Sequence, residues 1–184
     1  VRFNFVKRLV DFTSKDELLE IAGRIAKLDW HVVIYFEAVD LPELWDFFTA
    51  LPTTVVVDHM GRPDVAKPVD GPEFSLFLQF MREHQNVWSK VSCPERLSVS
   101  GPPALNGQQN AYRDVVPFAR KVVEEFPDRV LWGTDWPHPN LKDHMPDDGL
   151  LVDFIPHIAT TKELQHKLLV DNPMRLYWPD EWRK

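Results

Sequence analysis

The sequence predicts an α/β fold of about five βα units, forming part of a (β/α)8 barrel, and three observations support that class. Short β-branched and aromatic runs alternate with longer amphipathic stretches, which is the pattern of parallel strands joined by crossover helices. No glycine-rich phosphate turn follows any strand, which disfavours the doubly wound nucleotide-binding sheet that the same alternation would also accept. Polar residues fall instead at the ends of several different strands, the way a barrel builds its site. A full barrel takes roughly 250 residues, so a chain of 184 residues would hold only part of one.

The strand candidates are residues 1–5 (VRFNF), 31–38 (HVVIYFEA), 53–61 (TTVVVDHMG), 86–93 (NVWSKVSC) and 129–136 (RVLWGTDW). Each is too apolar for a solvated antiparallel sheet. The first helix candidate, 14–28, opens on Ser14 with Glu17 three residues on, a capping box, and repeats Leu18, Leu19, Ile21, Ala22 and Ile25 at helical spacing. Further helices are expected over 40–51, 71–84, 111–126 and 161–177, with Pro117 inside or at the start of its helix. Residues 98–114, rich in Gly, Pro, Asn, Gln and Ser, read as a long surface or active-site loop. One domain spanning 1–184 is the expectation.

Composition narrows the function. A net charge of −7 with no run of basic residues argues against a nucleic-acid surface, because phosphate contacts need clustered Lys and Arg. A small anionic substrate stays open if a few arginines converge. The single cysteine, Cys93, permits no internal disulfide and makes a reducing, cytoplasmic compartment the default. No membrane span or signal peptide is visible in the sequence.

Two strand ends carry candidate chemistry. Alternation along 53–61 puts His59 on the face of Val55 and Val57, and alternation along 129–136 puts Asp135 with Leu131 and Gly133. A lone histidine is more often a packing residue, and an aspartate ending a strand is more often a cap or turn former. Together, each followed by a turn signal, they point to a site above a barrel end. Arg2, Arg8, Arg62 and Arg96 sit at or after strands, and arginine is the side chain suited to bidentate capture of carboxylate. Any one of them alone is better read as solvated or paired. Tyr35, on the strand face of His31 and Glu37, would add a hydroxyl donor or serve as core. Cys93 reads as a buried structural thiol.

The segments VRFNFVKR, VVVDHMGRPD, VSCPERLSVSGPP, VPFARKVVEEFPDRVLWGTDWPHPN and LLVDNPMRLY resemble the amidohydrolase superfamily, amidohydrolase 2 type, in its branch of 2-pyrone-4,6-dicarboxylate hydrolases and lactonases. The resemblance implies that the five strands are the last five of eight, the C-terminal part of a longer TIM-barrel enzyme. It implies that Asp135 deprotonates the hydrolytic water, that His59 is the histidine after the sixth strand, and that Arg2, Arg8, Arg96, Tyr35 and, more weakly, Arg62 hold substrate carboxylates. The superfamily's His-x-His pair is not present in this sequence. The expected activity is water attack on a carboxylated lactone. Two alternatives remain: a metal-dependent amidohydrolase or decarboxylase in which Asp135 and His59 would help hold Zn or Mn, and a non-catalytic fragment. The expected partner is a small carboxylated molecule, with no nucleic acid or membrane, and a homo-oligomer is allowed.

Overall fold

The computed structural model describes residues 1–7, 13–101, 112–139, 141 and 145–183. Its sheet has five strands in sequence order, β1 (Arg2–Asn4), β2 (Val32–Tyr35), β3 (Val55–Val57), β4 (Val87–Ser92) and β5 (Val130–Gly133). The pairs β1–β2, β2–β3 and β3–β4 are parallel, with Ile34 opposite both Phe3 and Val57, and Val57 opposite Ser89. Parallel neighbours in chain order require a crossover after each strand. Four helices answer that need: α1 (Lys15–Ala26), α2 (Leu41–Thr49), α3 (Pro72–Glu83) and, after the single turn α4 (Pro94–Leu97), α5 (Val116–Glu125). The α/β expectation is met. The described chain forms two compact units, Val1–Pro63 with Asp70–Ser89, and Asp64–Val69 with Lys90–Lys184.

In the first unit, α1 begins where its capping residue dictates: Ser14 Oγ accepts from the Glu17 amide at 3.2 Å. The helix buries Leu18, Ala22 and Ile25. All three valines of β3 are buried, as a parallel strand covered on both faces requires. Phe48 is the centre of an aromatic core, with ring centroids 5.0 Å from Phe36, 5.3 Å from Phe5 and 6.2 Å from Phe80. Gly61 closes against that core at φ +67, and a Cβ there would stand 3.1 Å from the Phe36 ring. Both the left-handed backbone and the missing space demand glycine. Gly61→Ala is expected to lower folding stability by about 1–3 kcal/mol in urea denaturation; an unchanged midpoint would contradict this reading of the turn.

In the second unit, α5 buries Phe118, Ala119, Val122 and Val123. It starts at Val116 rather than at 111, because Pro117 has no amide proton and is accommodated only in a first turn. The expected helix over 161–177 is present as α8 (Lys162–His166) and α9 (Asn172–Tyr177), with one π-helical stretch, Lys167–Asp171, between them. The short α6 (Asp148–Asp153), α7 (Ile155–Ile158) and α10 (Pro179–Trp182) were not expected; α6 and α7 bury Leu151, Ile155 and Ile158. Asn172 is fully buried, and its Nδ2 donates to the carbonyls of Pro127 at 2.9 Å and Val130 at 2.8 Å, which fixes the entry to β5. Among the described residues no helix is long and apolar enough to cross a membrane.

The described ends of the 98–114 loop are tied together by Asp114. Its carboxylate accepts from the Ser98 hydroxyl at 2.5 Å and from the amides of Val99 and Ser100 at 2.7 and 2.9 Å. Partial burial opposes ionisation, but these three donors outweigh it and hold the carboxyl below its ordinary value of 3.8. A depressed folded value means the stabilisation is complete above 3.8 and fades as pH falls through the lower value. Hydrogen exchange at the Val99 and Ser100 amides should therefore accelerate only in strong acid. Asp114→Asn should accelerate it at neutral pH; equal protection in both proteins would sink this assignment.

Candidate active site

Both strand-end candidates lie beyond their strands, which corrects the alternation argument for them. β3 stops at Val57, and Asp58–Gly61 form a 3-10 turn in which His59 and Met60 have φ of 52° and 57°. β5 stops at Gly133, and Asp135 has φ 64°. Side-chain direction at these positions is set by left-handed turns, not by pleat. Left-handed backbone at non-glycine residues is uncommon and costs roughly 1–3 kcal/mol each. Here Gly61 and Arg62 continue the run, with φ of 67° and 53°.

In the first unit, four of the predicted residues converge. The His59 ring meets Tyr35 edge to face at 5.5 Å, and His59 is 2% exposed. The Arg2 guanidinium lies 4.7 Å from the Tyr35 ring centroid and that of Arg62 lies 5.7 Å away. Arg62 Nη1 donates to the Tyr35 hydroxyl at 3.3 Å. Each arginine also has a carboxylate that the sequence reading did not assign: Arg2 pairs with buried Asp58 at 2.8 Å, and Arg62 Nε donates to Glu37 at 3.0 Å. Asp58 directly precedes His59 and Glu37 follows Tyr35 by two, so proximity in sequence to the named residues was the available signal. Arg8 lies outside the described residues.

The second unit holds Arg96 and Asp135 together. Arg96 Nη2 makes a short ion pair with Asp135 Oδ2, and Arg96 Nε donates to Cys93 Sγ at 2.8 Å. Both charged side chains are largely buried, at 10% and 19% exposure, so the pair is charge-assisted and poorly screened. Burial pushes the Cys93 thiol strongly upward, with Glu95 adding to the effect, so it stays protonated and is no nucleophile. Burial likewise raises the Glu95 carboxyl, and Asp135 adds to it. Tyr112 is pushed up to about 12 by burial and by Glu95 and Asp147. His138, three residues after Asp135, is 3% exposed and approaches Glu95 and Asp148.

The metal alternative is tested by this second group. A divalent ion on Asp135 or Cys93 would need a free carboxylate oxygen or a thiolate. The guanidinium of Arg96 faces both donors, and the thiol is held neutral. As arranged, a cation on Asp135 would compete with Arg96 for the carboxylate.

An amidohydrolase family model matches residues 1–178. The chain belongs to the amidohydrolase family. It is 91% identical over 181 residues to the 2-pyrone-4,6-dicarboxylate hydrolase of Comamonas testosteroni, covering 98% of this chain and 59% of that protein. A solved Pseudomonas putida structure described as a 2-pyrone-4,6-dicarboxylic acid hydrolase superposes with TM-score 0.72 at 27% identity, covering 96% of this chain and 62% of that one. A Burkholderia multivorans amidohydrolase with bound zinc shares the fold, with TM-score 0.71 at 16% identity, over 88% of this chain and 57% of that one. The chain thus spans about three fifths of the length of these proteins, and its parallel α/β sheet is part of an amidohydrolase barrel.

Proposed function

We propose that this chain supplies the water-activating and anion-binding residues of a hydrolase that opens a carboxylated lactone resembling 2-pyrone-4,6-dicarboxylate. The observation that carries the reading is the Arg96–Asp135 pair, which fixes the carboxylate of an aspartate just beyond a strand end. Asp135 takes a proton from water as the water oxygen bonds to the lactone carbonyl carbon. The His59 imidazole donates a hydrogen bond to the carbonyl oxygen as negative charge develops there. The ring C–O bond then breaks, the ring oxygen leaves with the proton that Asp135 had taken, and the new carboxylic acid ionises. Arg2, Arg8, Arg96 and, more weakly, Arg62, with the Tyr35 hydroxyl, neutralise the substrate carboxylates, and Arg96 also holds Asp135 in place. We further propose that residues 1–184 act as one partial-barrel domain of a cytoplasmic protein. The substrate is a small carboxylated molecule, and assembly into a homo-oligomer is compatible with this reading.

In a protein extended to the length of its relatives, Asp135→Asn should reduce ring opening by at least roughly 1,000-fold while substrate still binds. Unchanged turnover would remove Asp135 from this role. The same protein should favour a dicarboxylate over its monocarboxylate analogue by about 2–4 kcal/mol in kcat/KM. Arg62→Met should erode that preference more than it slows the monocarboxylate; full discrimination in the variant would refute the carboxylate assignment.

A second reading, favoured by the zinc bound to the Burkholderia multivorans relative, keeps the fold and uses Zn or Mn with His59 and Asp135 among its ligands. It requires Arg96 to release Asp135 first.

A further inference from the structure

Beside the Arg96–Asp135 pair stands a second contact between the same two segments. Glu95 and Arg96 are consecutive in α4, and they reach residues three apart on the turn after β5: Arg96 reaches Asp135, and Glu95 reaches His138, with Glu95 Oε1 3.5 Å from His138 Nδ1. That turn is closed on itself, since the His138 amide donates to the Asp135 carbonyl at 2.9 Å. Asp135 and His138 both hold left-handed backbone, at φ 64° and 57°. A segment with two such residues keeps its shape only where its surroundings over-determine it.

The Glu95 side chain is wholly enclosed and that of His138 is 2% exposed. Among the described residues, neither Glu95 oxygen nor His138 Nδ1 has a hydrogen bond of good geometry. A buried carboxyl and a buried imidazole nitrogen left unsatisfied are costly groups, and here each is the other's nearest complement. The remaining ring nitrogen, Nε2, lies 3.2 Å from Oδ1 of half-exposed Asp148. The imidazole is thus flanked by a carboxyl group on each nitrogen, which fixes its ring plane.

We propose that Glu95 and His138 are positioning residues for Asp135: they clamp the turn that presents the carboxylate, and Asp148 sets the imidazole from its solvent side. The proposal rests on the reading of Asp135 as the water-activating base. It assigns Glu95 no contact with substrate. Without the clamp, the turn that carries Asp135 would lose its support beside the Arg96 ion pair, and the carboxylate would sample orientations in which no water is in line.

The experiment uses Glu95→Gln and His138→Gln in the protein extended to the length of its relatives, each shown to be folded by circular dichroism. Both variants are expected to turn over at least 10-fold more slowly at saturating substrate while KM changes less than 2-fold, with Asp148→Asn milder. Two readouts do not depend on the reaction. In Glu95→Gln the imidazole nitrogen signals of His138 and the carboxyl carbon signal of Asp135 should both shift in nuclear magnetic resonance spectra. Should Glu95→Gln misfold, His138→Gln with the Asp135 signal decides alone. Saturated turnover within 2-fold of the parent, a turnover loss matched by an equal rise in KM, or an unmoved Asp135 signal would each overturn the proposal. Failure of Asp135→Asn to impair turnover would instead remove the base reading and leave the spectroscopic result standing on its own.

Discussion

The ion pair between Arg96 and Asp135 is the interaction on which the proposed chemistry of this chain depends. An aspartate beyond a strand end is ordinarily solvated or used as a cap. Here the turn after β5 carries it, in left-handed backbone, to a guanidinium that is itself nine-tenths buried. Truncating either partner would leave the other charge buried and unpaired, at a cost of about 3–5 kcal/mol. The same guanidinium donates to Cys93 Sγ, so one arginine bridges both side chains, while burial raises the thiol against the lowering effect of that arginine.

Pairing with an acid recurs at the other described arginines of the site. Arg2 has Asp58 and Arg62 has Glu37. This reconciles two facts that pull apart in the sequence, a net charge of −7 and an expected anion-binding site. The carboxylates pre-orient the guanidinium planes, and Tyr35, with Arg2 over its ring and Arg62 bonded to its hydroxyl, gives the two cations a common support. On the proposed reading, a substrate carboxylate would meet donors that are already aimed, which lowers the ordering cost of binding.

The fold was legible because parallel strands and their helices leave strong periodic signals. The capping box at Ser14 and the apolar repeat after it produced α1 within one residue of its start and two of its end. The buried run Val55–Val57 read as a strand for the same reason. What the periodicity could not reveal is where the strands stop, because a change to left-handed backbone at His59 or Asp135 leaves no hydrophobic trace. Gly61 and Pro63 marked that a turn was near without giving its shape. The arginines, Tyr35, His59 and Asp135 are candidates by residue type and the family resemblance alone. The acids Asp58 and Glu37, which pair with Arg2 and Arg62, were missed, since carboxylates are common in the sequence and only packing shows which one an arginine reaches. Asn172 was missed likewise: its two carbonyl contacts come from residues more than forty positions away.

On the proposed reading, a guanidinium, and not a metal ion, governs the aspartate that would activate water. Elemental analysis of the freshly purified protein, extended to the length of its relatives, tests this most directly when run beside turnover before and after exhaustive chelation. The account predicts well under one equivalent of zinc or manganese per chain, with turnover unchanged after chelation. A stoichiometric ion whose removal abolishes turnover and whose return restores it would contradict the account.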